Sequence, residues 1–393
     1  MAGDGPLLTV STPSECPPGV VGNRLGNNVL CRRRAVGLCV LTLLASAAVH
    51  TNSASALQHV DGISDQDLPR WDGSFTGGLF ASYFRATWVP AQISWARYVV
   101  QWNAMTEVSD GPNPNGDYRE QFEAWLNDVH SMGLRALVGL TSYTGVYPTS
   151  LSSYQSSLEE VLTLARARGE PIGSLEAWNE PNSQGRLAAA TAAELANDAH
   201  GVCATNSCTV IAGDFADLTS LAPYESAYAS ALTFTPTAWG IHPYNAVIEH
   251  SDAGLIAFKR GLPGGGSRAQ IWFTEVGAYY CLRGTVRGEA QQASDASYLA
   301  DTLIPDTAIT PAHVFYYGLL AADRAPAGCS AEAGADTELY KPNDEPRLAA
   351  GAILADAGMP TSGASTPIAT ASVDVLLFAE DTNRELLSFG RPY

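Results

Sequence analysis

Two glutamates stand where a carboxylate can do chemistry. Glu180 lies in the run Leu175-Glu176-Ala177-Trp178-Asn179-Glu180-Pro181-Asn182. This reads as a short apolar strand that delivers an Asn-Glu pair and is stopped by Pro181, which has no N–H to donate and a fixed φ. Glu275 comes near the end of a second apolar strand, Ala269-Gln270-Ile271-Trp272-Phe273-Thr274-Glu275-Val276-Gly277. Each acid is therefore expected at the mouth of a sheet. Two carboxylates so placed are what cleavage of a glycosidic bond requires. One holds a proton for the leaving oxygen, while the other stays ionised to attack or to activate water.

The elements that must position these groups alternate between strand and helix from Leu57 onward. A weak first strand over 58–66 precedes a helix over 77–87, and 93–102 (ISWARYVVQW) is a strong strand rich in β-branched and aromatic residues. Helix 118–132 carries Phe122, Trp125, Leu126 and Val129 at three- and four-residue steps. Strands then follow over 134–141, 175–181, 209–213, 238–244, 269–277 and 313–320, with helices over 153–168, 189–204, 221–232, 253–260 and 289–303, and a last helix over 346–357. Eight repeats over roughly 300 residues predict an α/β fold of the (β/α)₈ TIM-barrel type, whose reactive groups lie at the C-terminal ends of the strands. The rival, a doubly wound open sheet, calls for a Gly-rich phosphate turn after the first strand, and the sequence has none. The barrel is expected over 57–360. A linker and a short C-terminal β-hairpin packed on the barrel are expected over 361–393.

Composition sets the surroundings. A formal net charge of −18 disfavours nucleic acid and anionic membrane as partners. Arg32-Arg33-Arg34, the apolar run 35–49 and Ala54-Ser55-Ala56 have the order of a secretory signal, so 1–56 reads as a leader, either cleaved or kept as a membrane anchor. The localisation expected is secreted, or anchored by that segment. Cys16, Cys31 and Cys39 fall in the leader, which leaves Cys203, Cys208, Cys281 and Cys329. An even number in an exported chain suggests two disulfides, of three possible pairings, with Cys203–Cys208 and Cys281–Cys329 preferred. No His stands at ligand spacing from these cysteines and no His/Asp cluster is visible at strand ends, so neither metal nor cofactor is expected.

Trp178-Asn179-Glu180-Pro181-Asn182 on strand four, with Thr274-Glu275-Val276-Gly277 on strand seven, resembles the retaining (β/α)₈ glycoside hydrolases of clan A, among them the family 5 cellulase-like and family 39 enzymes. The resemblance covers about 62–358. It implies Glu180 as acid/base, Glu275 as nucleophile and Asn179 as the partner of the sugar 2-hydroxyl. It also implies Arg97 as the arginine that keeps the nucleophile ionised, and His242 and Tyr244 as the strand-six pair, which share a parity and should both face the mouth. Where the clan often places a tryptophan on strand eight, this chain offers Tyr316 or Tyr317. Trp102 reads as a sugar platform or a core aromatic, Asp65 as a contact to a sugar hydroxyl, and Trp272, opposite in parity to Glu275, as core beneath a helix. An oligo- or polysaccharide is the expected partner. A sugar-binding barrel without catalysis, and a different barrel hydrolase or lyase, are the other readings.

Overall fold

The computed structural model describes residues 59–65, 93–106, 118–143, 145–183, 187–319, 335–341 and 345–356. The leader, the helix expected over 77–87, Cys329 and the C-terminal hairpin lie outside them.

The barrel expected from the alternation is present. Eight parallel strands close on themselves: β1 (Gly62–Ser64), β2 (Trp95–Gln101), β3 (Arg135–Thr141), β4 (Ser174–Glu176), β5 (Thr209–Ala216), β6 (Ala238–His242), β7 (Gln270–Val276) and β10 (Pro311–Tyr317). Each pairs with the next, and β10 returns to β1, where Gly62 stands opposite Phe315. Between β7 and β10 the chain makes β8 (Cys281–Leu282) and β9 (Thr285–Val286), which form a small antiparallel sheet with β11 (Ala335–Asp336).

The helices follow from amphipathic spacing. Helix α1 (Tyr118–Met132) buries Phe122, Trp125, Leu126 and Val129 against the wall. Helix α2 (Leu151–Ala167) starts at a capping box, in which the Ser150 hydroxyl accepts from the Ser153 N–H. Then come α3 (Ala189–Asn206), α4 (Leu221–Ala231), α5 (Tyr244–Glu249), α6 (Ala253–Gly261), α7 (Gly288–Tyr298) with a π-turn over Leu299–Leu303, and α8 (Leu348–Asp356). Among the described residues, no helix is long and apolar enough to cross a membrane. Cys203, near the end of α3, is joined to Cys208. Cys281 is also disulfide-bonded, and its expected partner Cys329 is outside the described residues.

Burial separates two apolar layers. The larger packs the outer faces of the strands under the helices; the smaller fills the barrel with Trp95, Leu137, Ile211, Ala238, Trp272 and Phe315. Trp272 meets Trp95 edge-on at 5.8 Å, so it lies inside the barrel and not beneath a helix as expected. The parity argument fails because β7 carries an extra residue: Val314 pairs with Phe273 and Tyr316 with Val276, a bulge that spans Thr274 and Glu275. Two residues along β2 from Trp95, the pleat turns Arg97 into the same interior. The apolar plug is thus roofed by a layer of charge.

One buried acid lies away from that layer. Glu225 of α4 is 2 % exposed and its Oε1 has no hydrogen-bond partner among the described residues. It sits so close to Gly261 that a Cβ there would stand 2.6 Å from Oε1. Burial pushes its carboxyl up to about 7. The unfolded chain releases this proton at lower pH than the folded one, so the group destabilises the fold increasingly as pH rises through this window. Glu225→Leu should raise stability by about 1–3 kcal/mol at pH 8 and by little at pH 4. Urea midpoints of the two proteins at both pH values check this, and equal gains at both would refute it.

Candidate active site

The guanidinium of Arg97, fully buried, organises the mouth of the barrel. Its Nε donates to both oxygens of Glu176 at 3.0 Å. Nη1 donates to Ser64 Oγ at 3.1 Å and to Glu275 Oε2 at 2.8 Å. Nη2 donates to Asn179 Oδ1 at 2.8 Å and to Asp214 Oδ2 at 3.1 Å. All the fork's donor nitrogens are therefore engaged, with carboxylates from three strands.

Glu180 and Glu275 reach this mouth by different local routes. Strand β4 ends at Glu176, earlier than the sequence suggests, and Glu180 follows in a turn with φ of 45°. That left-handed conformation is unusual for a residue with a side chain. The Glu180 N–H donates to the Asp214 carbonyl at 3.0 Å, which holds the turn against β5. Asn182 closes the same seam: its amide exchanges hydrogen bonds with the Ala216 N–H and C=O at 2.9 and 2.7 Å. Glu275 is aimed by the β7 bulge, a device common beside active sites. Its Oε1 accepts from the Tyr244 hydroxyl at 2.8 Å.

His242 joins the two acids. Nδ1 lies 3.0 Å from Glu180 Oε1 and 4.0 Å from Glu275 Oε1, and Nε2 lies 2.9 Å from Asp214 Oδ1. One oxygen of Glu180, one of Glu275 and a ring nitrogen of His242 all lie within 4.8 Å of one another. A cluster invisible at sequence spacing is thus assembled by the fold. Burial alone would push the imidazole down, but the Asp214 and Glu275 charges and the bonds to Asp214 and Glu180 hold it well above the ordinary histidine range. As arranged, these three groups can exchange protons with one another.

The side chains beneath have opposed environments. Burial raises Glu176 to about 8, only partly offset by Arg97. Burial also works against Asp214, yet the His242 and Arg97 charges and the Thr274 hydroxyl, at 2.6 Å, bring it down to about 2. Tyr244 is pushed well above the usual tyrosine range by burial and by the Glu275 carboxylate, so its O–H remains a donor.

The other residues singled out in the sequence divide. Tyr244 does reach the site, but from the first turn of α5 and not by strand parity, since β6 ends at His242. Tyr316 faces outward: its hydroxyl donates to the Thr337 carbonyl at 3.0 Å and accepts from the Ala278 N–H at 3.2 Å. Tyr317, next in the chain, feels the charges of Glu275 and Asp65 and belongs to the mouth. Trp102 lies in the outer layer, its indole N–H donating to the Val146 carbonyl at 2.7 Å. Asp65 is buried and accepts from the Leu319 N–H at 3.1 Å, across the β1–β10 seam.

Three residues were missed. Tyr279, in the loop after β7, stacks on Tyr244 at 5.1 Å and lies within reach of both glutamate charges. Glu176 is an acid inside an apolar strand, and Gly139 on β3 leaves it room, since a Cβ there would stand 2.5 Å from its Oε2. Asp214 has φ of 56° after Gly213 at 87°, and β5 carries its extra residue there, with Gly213 opposite Gly240 and Phe215 opposite Ile241. A Gly-Asp pair inside an apolar strand is the signal that could have marked that bulge.

Solved structures with the same fold include an endo-β-1,6-glucanase, at 13 % identity over 78 % of this chain and 77 % of that one, with a TM-score of 0.54. A GH5_18 protein from Streptomyces cattleya, in complex with Manβ1-4GlcNAc, is 15 % identical over 78 % and 81 %, with a TM-score of 0.52. The GH53 catalytic domain of Ignisphaera aggregans is 13 % identical over 78 % and 97 %, with a TM-score of 0.55. At these identities the likeness is one of fold. No family model and no curated protein sequence matches the chain.

Proposed function

We propose that this protein is an exported retaining glycoside hydrolase that cleaves β-linked saccharides by double displacement. One observation carries the reading: carboxylate oxygens of Glu180 and Glu275 within 4.8 Å of each other at the mouth of a closed barrel. Retention calls for carboxyl groups about 5–5.5 Å apart, whereas inversion leaves room for a water at about 6.5–9.5 Å. Glu275 attacks the anomeric carbon as Glu180 gives its proton to the leaving oxygen, forming a glycosyl-enzyme. Glu180 then takes a proton from the water that releases the sugar. Arg97 and Tyr244, which donate to the two oxygens of Glu275, orient it. The Cys203–Cys208 disulfide supports export, and the solved structures that share the fold include glycosidases acting on β-linked glycans.

The test is hydrolysis of a panel of β-glucans, mannans, xylans and aryl β-glycosides by the purified protein, with the product anomer read by proton NMR before mutarotation. The β-anomer should form first. Initial formation of the α-anomer would overturn double displacement, and sugar binding without turnover would favour a non-catalytic barrel.

A further inference from the structure

Asp214 holds Glu180 twice. Its carbonyl accepts the Glu180 N–H at 3.0 Å. Its carboxylate is 2.9 Å from His242 Nε2, and the far nitrogen of that ring is 3.0 Å from Glu180 Oε1. Backbone and side chain thus close a ring through His242. Both ends of the ring are residues in the left-handed region, Glu180 at 45° and Asp214 at 56°. Such conformations are strained for residues that carry a side chain and persist where surrounding bonds over-determine them. The β5 bulge turns Asp214 inward, and Thr274 Oγ1 at 2.6 Å and Arg97 Nη2 at 3.1 Å fix its two oxygens.

We infer that Asp214 is the positioning residue of the acid/base, acting through His242 to decide which oxygen of Glu180 carries the transferable proton. The inference rests on the role proposed for Glu180. With Asp214 ionised, His242 keeps a proton on both nitrogens, so Nδ1 donates to Glu180 Oε1 and fixes it as an acceptor. The proton of the acid then belongs on Oε2. During the first step that proton passes to the glycosidic oxygen as the C–O bond breaks and the Glu275–carbon bond forms. Without the Asp214 charge, His242 loses its second proton more readily. Its bare Nδ1 then accepts from Glu180 Oε1, and the proton is held on the wrong side. The groups facing this pair are Arg97 from β2, Glu176 from β4, Thr274 and Glu275 from β7, Tyr244 from α5, and Asp217 and Tyr279 from the loops. Of these, the charge of Arg97, whose Nη2 lies 3.4 Å from His242 Nε2, works against the imidazolium, and the Asp214 carboxylate bonds to both cations.

Asp214→Asn tests this with little backbone penalty, because asparagine tolerates the left-handed region. The measurement is kcat/KM, which reports the first bond cleavage, on phenyl and 2,4-dinitrophenyl β-glycosides of whichever sugar the wild type turns over. Dinitrophenolate leaves without a proton, whereas phenolate needs one. The variant should lose about 10²-fold on the phenyl glycoside and only a few-fold on the dinitrophenyl one, with the alkaline limb of the phenyl profile moved to lower pH. Equal losses on both substrates would mean a merely structural role and overturn the inference. Thr274→Val, which removes one donor from Asp214, should widen the same ratio by a few-fold. If Asp214→Asn does not fold, an unchanged ratio in Thr274→Val refutes the inference. Glu180→Ala runs beside both: if it shows no leaving-group dependence, the assignment of Glu180 is itself at fault and the inference falls with it.

Discussion

Glu275→Ala should lose at least about 10⁴-fold in kcat on any saccharide the wild type cleaves, since removal of the proposed nucleophile abolishes the covalent route and leaves only binding and electrostatics. The more telling result comes on adding azide. The truncated side chain leaves a space on the face from which Glu275 attacked, bordered by Arg97 Nη1 and the Tyr244 hydroxyl, two donors suited to a small anion. Azide entering there displaces the aglycone in one step and yields the α-glycosyl azide, with Glu180 still supplying the proton. Glu180→Ala behaves in the opposite sense. On a dinitrophenyl glycoside it still forms the glycosyl-Glu275 intermediate, which azide opens from the other side to give the β-glycosyl azide. The anomeric proton coupling distinguishes the two products. The same anomer from both variants, or more than about a tenth of wild-type turnover surviving in Glu275→Ala, would show that the roles are wrongly assigned.

The residues that were legible are those whose signal is local. Asn179-Glu180-Pro181 is a contiguous string, and helix α1 shows its buried face in the spacing of Phe122, Trp125, Leu126 and Val129. The barrel itself was readable because eight alternations suffice to name it. What escaped depends on register between strands. Parity projected backwards from Glu275 put Trp272 under a helix, because nothing in Gln270–Val276 announces that β7 gains a residue against β10. Parity projected forwards from His242 reached Tyr244 for the wrong reason, since the chain has already turned into α5. Tyr316 and Tyr317 were indistinguishable until β10 was paired with β1 and β7. Asp214 and Glu176 look like ordinary strand residues; only the closed barrel brings both to Arg97. Bulges at Asp214 and Glu275 share one physical role: each breaks the two-residue alternation so that an acid points inward where the pleat alone would turn it out. A pattern reader assumes that alternation, so it fails where the site is built.

Arg97→Leu should produce the largest loss of stability in the molecule. The guanidinium neutralises carboxylates of Glu176, Asp214 and Glu275, the first two fully buried. Removing one partner of a buried ion pair typically costs about 3–5 kcal/mol, because the remaining charge is left without water or counter-ion. Here three acids share one cation and His242 can compensate only in part, so at pH 8 the loss belongs at the upper end of that range. The sign of its pH dependence follows. Without Arg97 the folded-state carboxyls titrate higher than in the unfolded chain, so the deficit grows as pH rises through those values and shrinks as they are protonated. Urea midpoints should therefore show a much smaller gap between variant and wild type at pH 5 than at pH 8. Glu176→Gln in the Arg97→Leu background should change little at pH 8, because Glu176, already up to about 8 beside the guanidinium, goes higher without it and is protonated there. In the wild type the same substitution should cost less than any change at Arg97, since burial already brings Glu176 up to about 8, close to neutral. A variant within about 1 kcal/mol of wild type at pH 8 would mean that water reaches this layer and that Arg97 is no more than a surface-type pair. In that case Arg97→Leu should also leave kcat/KM largely intact.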